Sequence, residues 1–277
     1  MRWGVIEAVM RKDLATVLRN KGVRVPLIAA PTVILVLLPV LLVTGGDVLS
    51  SAAPVALQDP TGGGATLADR FTPETATAVT GIAGSGRWAA FVLKVFLAPL
   101  YLLIPLMVAT VIAADSFAGE RDRGTLEALL HTPTTDAELL TSKFLAAWVP
   151  AMVVSLGGFV VYSVVANLVA WPQIGAIFFP DLTWLVLALF VTPAIAALGL
   201  GIMVIVSSRV QSLQAAHQFG SLVVLPIILL LIGQISGALL FDATLVLAMG
   251  VIVWLLAVVV LRAAARSFRR ERLAARL

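Results

Sequence analysis

A chain of 277 residues is long enough for one large soluble domain or two small ones, but its composition excludes both. Hydrophobic residues make up 60% of it and charged residues 12%, against roughly 45–50% and 25% in soluble domains; no fold of this size has enough interior to hide so much apolar surface. The net charge of +4 sits in the tails and one set of loops, a pattern of membrane orientation and not a nucleic-acid footprint, and the absence of cysteine removes disulfides and thiolate sites.

The first element in chain order is an amphipathic helix within residues 1–24. Trp3, Ile6, Met10, Leu14 and Val17 recur at helical spacing and form one narrow apolar stripe, with Arg11, Lys12 and Arg19 away from it. Such a helix is suited to lie flat at the headgroup level with its cations near anionic lipid. It is no cleavable signal peptide, because a charged stretch precedes the first apolar run and no small-residue cleavage site closes that run.

Six segments then have the length and apolarity to cross a bilayer: 25–44, 95–114, 144–169, 182–206, 219–240 and 243–261. Open backbone is not tolerated in hydrocarbon, so all six are expected to be α-helical, with prolines 26, 31, 39, 99, 105, 150, 193 and 226 kinking them or marking their ends. Sixteen of the 19 lysines and arginines fall on one side, in the N-terminal tail, the 115–143 loop, the 207–218 loop and the C-terminal tail. This asymmetry puts both termini in the cytoplasm, consistent with an even number of spans. The expected organisation is therefore a cytoplasmic interfacial helix over 1–24, an all-α six-helix transmembrane domain over 25–261 and a basic cytoplasmic tail over 262–277. The 45–88 segment is an external, mostly irregular loop, with 54–58 its only strand-like run. Residues 238–243 make a tight hairpin between the last two spans.

The 115–143 loop is the most informative stretch. Charges alternate from Glu120 through Arg121 and Asp122 to Arg123, Gly124 breaks the helix, and Thr125 can cap a short amphipathic helix bearing Leu126, Leu129 and Leu130 on one side, with Glu127 within it. Pro133 stops that helix, and Thr135 with Glu138 three residues later spells a capping box that starts a new helix running unbroken into the third span. A short rod with leucines outside the membrane fits either a partner's groove or this chain's own helix ends.

Phe117 to Lys143, together with Ser207–Ala216 leading to Leu225-Pro226, resembles the ABC-2 type transporter permeases, as do the amphipathic N-terminus and the six-span layout. The resemblance implies a membrane subunit that works with a second copy of itself or a paralogous permease and with two ATP-binding cassette subunits. It also implies that the segment around Thr125–His131 is the coupling helix through which those subunits act. Glu120, Arg121, Arg123 and Glu127 would be its charged surroundings. ATP and magnesium would belong to the partner.

The chain itself has no Gly-x-x-x-x-Gly-Lys-Ser/Thr phosphate loop. His131 and His217 are far apart, so no metal or other cofactor is expected in this chain, nor any catalytic residue. Lys94, at the outer edge of the second span, reads as a snorkelling anchor. Asn167, Gln234, Ser155, Ser163, Thr110, Tyr101 and Tyr162 are the uncharged polar residues that could line a path or act as glue between helices. No substrate ligand is singled out. The expectation is an exporter subunit in the cytoplasmic membrane of a bacterium or archaeon, with a shared path lined by helices one, two and five. An ATP-independent scaffold or assembly factor, and an ion-coupled carrier, are the alternatives; the lack of Asp, Glu or His deep in the spans speaks against the carrier.

Overall fold

The computed structural model describes residues 3–19, 21–45, 82, 86–119, 135–210, 213–235 and 243–267. Among these every regular element is helical. Helix α1 is Trp3–Arg19. Helix α2 joins Lys21–Thr32, a π turn Val33–Leu37 and Leu38–Thr44. Helix α3 joins Arg87–Phe91, a π turn Val92–Phe96, Leu97–Ala114 and a π turn Asp115–Gly119. Helix α4 is the unbroken Asp136–Ile174. Helix α5 joins Leu182–Val186, a π turn Leu187–Val191 and Thr192–Ser207. Helix α6 is Leu213–Ser221, a 3₁₀ turn Leu222–Val224 and Leu225–Ile235, and α7 is Ala243–Ser267.

Five of these, α2, α3, α4, α5 and α7, are long and apolar enough to cross a membrane. Of the segment expected as a span over 219–240, the described part, 219–235, contains a shorter apolar helix, Leu222–Gly233, and 236–240 lie outside the described residues. Residues 236–242, which include most of the expected hairpin, lie outside the described residues, as does most of the 45–88 segment with its strand-like run.

Helices α3 and α5 form the buried centre, and α2, α4 and α7 turn much of their apolar surface outward. α3 packs against α2, α4, α5 and α6, while α5 also packs against α7. Lipid tails are as apolar as leucine, so burial alone does little to drive helices together here; close packing and hydrogen bonds must do it. A β-carbon on Gly199 would collide with Leu106, and one on Gly201 would lie 2.9 Å from Val260, so these two glycines let α5 approach α3 and α7 closely.

Three π turns have a local cause. A proline ring clashes with the carbonyl four residues earlier and supplies no N–H. For Pro39, Pro99 and Pro193 that fourth residue back is Leu35, Val95 or Leu189, each inside a π turn. Widening the turn to i→i+5 moves the carbonyl off the ring. In α3 the carbonyl of Lys94, five residues before Pro99, cannot be reached by an i→i+5 bond because proline has no N–H. The Trp184 indole Nε1 donates to that oxygen at 2.8 Å.

Trp184 is the centre of an aromatic knot that ties α3, α4 and α5 at the end carrying the 175–181 connection. Its ring centroid is 4.9 Å from Phe179, 5.0 Å from Tyr162, 5.5 Å from Tyr101 and 6.4 Å from Phe159. The Tyr162 hydroxyl donates to the Leu93 carbonyl, and the Tyr101 hydroxyl to the Ser155 carbonyl at 3.2 Å. Asn167 folds the connection: its Nδ2 donates to the carbonyls of Ser163 and Phe179 at 2.8 and 2.7 Å, and its Oδ1 accepts from the Phe178 N–H at 3.0 Å. α4 ends at Gly175, whose φ of 69° suits a residue without a β-carbon. Asp181 then caps α5 by accepting from the Trp184 N–H at 3.0 Å.

Candidate functional site

The site expected from the sequence is the loop between α3 and α4. Glu120, Arg121, Arg123, Thr125, Leu126, Glu127, Leu129 and Leu130 all lie outside the described residues. What the structure places is the base on which that loop stands: the last turn of α3 and the first turns of α4.

The α4 leg begins as its sequence predicts. Thr135 is extended (φ −79°, ψ 155°); its Oγ1 accepts from the Glu138 N–H at 3.2 Å, and Glu138 Oε2 accepts from the Thr135 N–H at 3.1 Å. Two of the four orphan donors of a helix start are thereby satisfied reciprocally. The helix then runs into the membrane span without a break.

The α3 leg is described as far as the π turn Asp115–Gly119, all five residues of which are buried. Lys143, two turns into α4, meets that turn. Its side chain is fully buried, its Nζ donates to the Ser116 carbonyl at 2.6 Å, and Nζ lies 5.3 Å from the centroid of the Phe117 ring. Burying an amine is costly unless it is hydrogen-bonded, and an ionised donor on a carbonyl is among the stronger bonds available, at about 1.5–3 kcal/mol. Asp115, Ser116, Glu138 and Ser142 are buried in the same two legs. Ser142 Oγ donates to the Leu139 carbonyl at 2.8 Å.

Sequence reading counts Lys143 only as one of the charges on the loop side of the membrane. The signal for its burial is its register: Leu139 precedes it by four residues and Ala147 follows by four, and both are buried. Lys94 is the converse case. Expected to reach the headgroup level, it has a side chain only 10% exposed and pairs with Asp181 Oδ2 at 3.2 Å, with Nζ 5.5 Å from the Phe178 ring. The peptide itself supplies the counter-charge that a snorkelling lysine seeks in water.

The N-terminal stripe is split. Ile6 is buried, Met10 and Leu14 are half-buried, and Trp3 is 68% exposed; the side chain of Val17 is outside the description. α1 packs on α4. Arg11 pairs with Glu7 at 2.6 Å on the exposed side. Of the polar candidates within the spans, Tyr101 and Tyr162 bond to carbonyls of a neighbouring helix and Asn167 to the 175–181 connection, which is the work of glue, whereas Ser163 and Thr110 bond to carbonyls one turn back in their own helices. Ser155 Oγ is buried with no partner among the described residues, and Gln234's side chain is outside them.

Comparison with curated proteins finds no match. The family model described as ABC-2 family transporter protein matches residues 8–246, which takes in α2 to α6, the loop between α3 and α4, and the start of α7. That family is a membrane component and is not itself catalytic. The chain belongs to the ABC-2 transporter family, as a multi-pass membrane permease of an ABC transporter.

Proposed function

We propose that this permease is the membrane subunit of an ATP-driven exporter, working as a pair with a second copy or a paralogous permease and with two separate ATP-binding cassette subunits. Its six spans, with 219–240 as the fifth, sit in the cytoplasmic membrane of a bacterium or archaeon with both termini inside. The segment Thr125–His131 is the coupling helix. Its leucines enter a groove on the ATPase, and Glu120, Arg121, Arg123 and Glu127 fix the register. ATP and magnesium bind the partner alone. An apolar path between the two permeases suits a lipid-like, amphipathic or polymeric substrate.

The observation that carries this reading is the family match across the whole of the loop between α3 and α4. The sequence adds support, since it has no phosphate loop to hold a nucleotide and its cations crowd the loop side. The buried Lys143–Ser116 contact gives a force on the loop a stiff route into two membrane helices.

Purification from native membranes in mild detergent should recover a stoichiometric ATPase with this chain. Deleting residues 126–130 should leave membrane insertion intact and abolish both recovery of that ATPase and its stimulation. An unchanged complex after the deletion would overturn the docking role. Function that survives without any ATPase would favour a scaffold, and dependence on a proton or sodium gradient would favour a carrier.

A further inference from the structure

We propose that Lys143 is a positioning residue that locks the two legs of the 120–134 loop into one moving body. The inference rests on the reading of that loop as the coupling element, and it adds the residue through which a push on the loop is shared between α3 and α4.

Three observations carry it. Lys143 reaches across 27 residues of sequence to the Ser116 carbonyl at 2.6 Å, so one contact closes the base of the whole loop. The side chain is fully buried although it stands only two turns from the helix start. A methionine or leucine would fill similar volume without the desolvation cost, so a lysine here is explained by what its Nζ holds. The held atom is also specific: a carbonyl in the π turn Asp115–Gly119 of α3, with Nζ 5.3 Å from the Phe117 ring.

The α4 leg is stiffened independently by the Thr135–Glu138 capping box. With Lys143 in place, a displacement of the loop must carry both legs. Without it, the α3 leg loses the hydrogen bond that ties it to α4 at this level, and the legs can respond separately.

The test compares the native chain with Lys143→Met and Lys143→Arg in lipid nanodiscs, by hydrogen exchange at 115–119 and 136–143. The methionine variant should exchange about tenfold faster at 115–119, and arginine should restore most of the protection. The same variants are then assembled with the ATPase and given ATP or ADP. Native and arginine chains should show nucleotide-dependent exchange in both legs together. The methionine variant should assemble and keep basal ATPase activity but respond in one leg only. Native-like, coordinated exchange in Lys143→Met, or failure of arginine to restore it, overturns the proposal. If Lys143→Met is not recovered folded, Phe117→Leu, which removes the ring beside Nζ, should raise exchange at 115–119 by a smaller factor; no rise overturns the proposal. Should no ATPase join the native chain, the functional reading fails, and the nanodisc exchange alone decides whether Lys143 holds the legs.

Discussion

The two ends of the bundle are fastened in opposite ways. At the end carrying the 175–181 connection, four rings surround Trp184, and an indole, two phenols and a carboxamide donate to backbone carbonyls of α3, α4 and the connection. At the loop end, a buried lysine of α4 donates to one carbonyl of α3, above a capping box that belongs to α4 alone. The first arrangement distributes its hold over many contacts and several helices. The second sets a buried lysine of one helix against a carbonyl of the other. A bundle fastened this way is expected to pivot about the ring cluster when its loop end is pushed, with the lysine deciding whether two helices or one follow.

The strongest way to break the comparison is Trp184→Ala. It empties the middle of the cluster and strips the donor from the Lys94 carbonyl, and large-to-small changes of this kind cost about 3–5 kcal/mol. Thermal unfolding in detergent should show the largest drop of any single change at that end, with Trp184→Phe intermediate. A near-native transition for the alanine variant would mean that the cluster is not what holds the end together. A finer probe is Tyr162→Phe, which keeps the ring and removes only the donor to Leu93; interhelical hydrogen bonds in membranes average about 0.6 kcal/mol and reach about 1.7. A loss beyond that range would show that the hydroxyl matters more than the stacking. The smallest effect belongs to the loop end. Thr135→Ala removes one cap, worth about 1 kcal/mol locally, and should raise exchange at 136–140 while leaving the global transition nearly unmoved. A large fall in overall stability would contradict the view that the loop end is lightly fastened.

The parts legible in the sequence are those set by local chemistry. Apolar runs located the spans within a few residues of their apolar centres, and the Thr-x-x-Glu spacing located the start of α4. The helices nevertheless run beyond the runs: α3 from Arg87 to Gly119 and α4 from Asp136 to Ile174. Hydropathy senses the hydrocarbon, while the backbone goes on bonding outside it. In the 219–240 segment a 3₁₀ turn, Leu222–Val224, which begins four residues before Pro226, interrupts the α-helical ladder, and 236–240 lie outside the described residues. The tie from Lys143 to Ser116 and the indole bond from Trp184 to the Lys94 carbonyl bring together residues 27 and 90 positions apart, and the ion pair of Lys94 with Asp181 is comparably distant, so no short window along the chain contains both partners. For the loop, the cap at Thr135 was legible, the leucine-bearing helix expected over 125–131 lies outside the described residues, and the tie beneath it needed the fold.

The π turns carry one more consequence, for insertions and deletions. Each is an α-helical turn with one residue too many. Removing a single residue from Leu187–Val191 would let the turn close as ordinary α-helix, and because the widened turn already absorbs most of the ~100° that one residue adds, Gly199 and Gly201 would stay close to Leu106 and Val260. The same deletion one turn later, between Ala194 and Leu198, has no bulge to absorb it; it would rotate the rest of α5 by about 100° and bring bulkier neighbours where the two glycines stand. The widened turn is therefore the place where this helix can lose a residue and keep its contacts with α3 and α7.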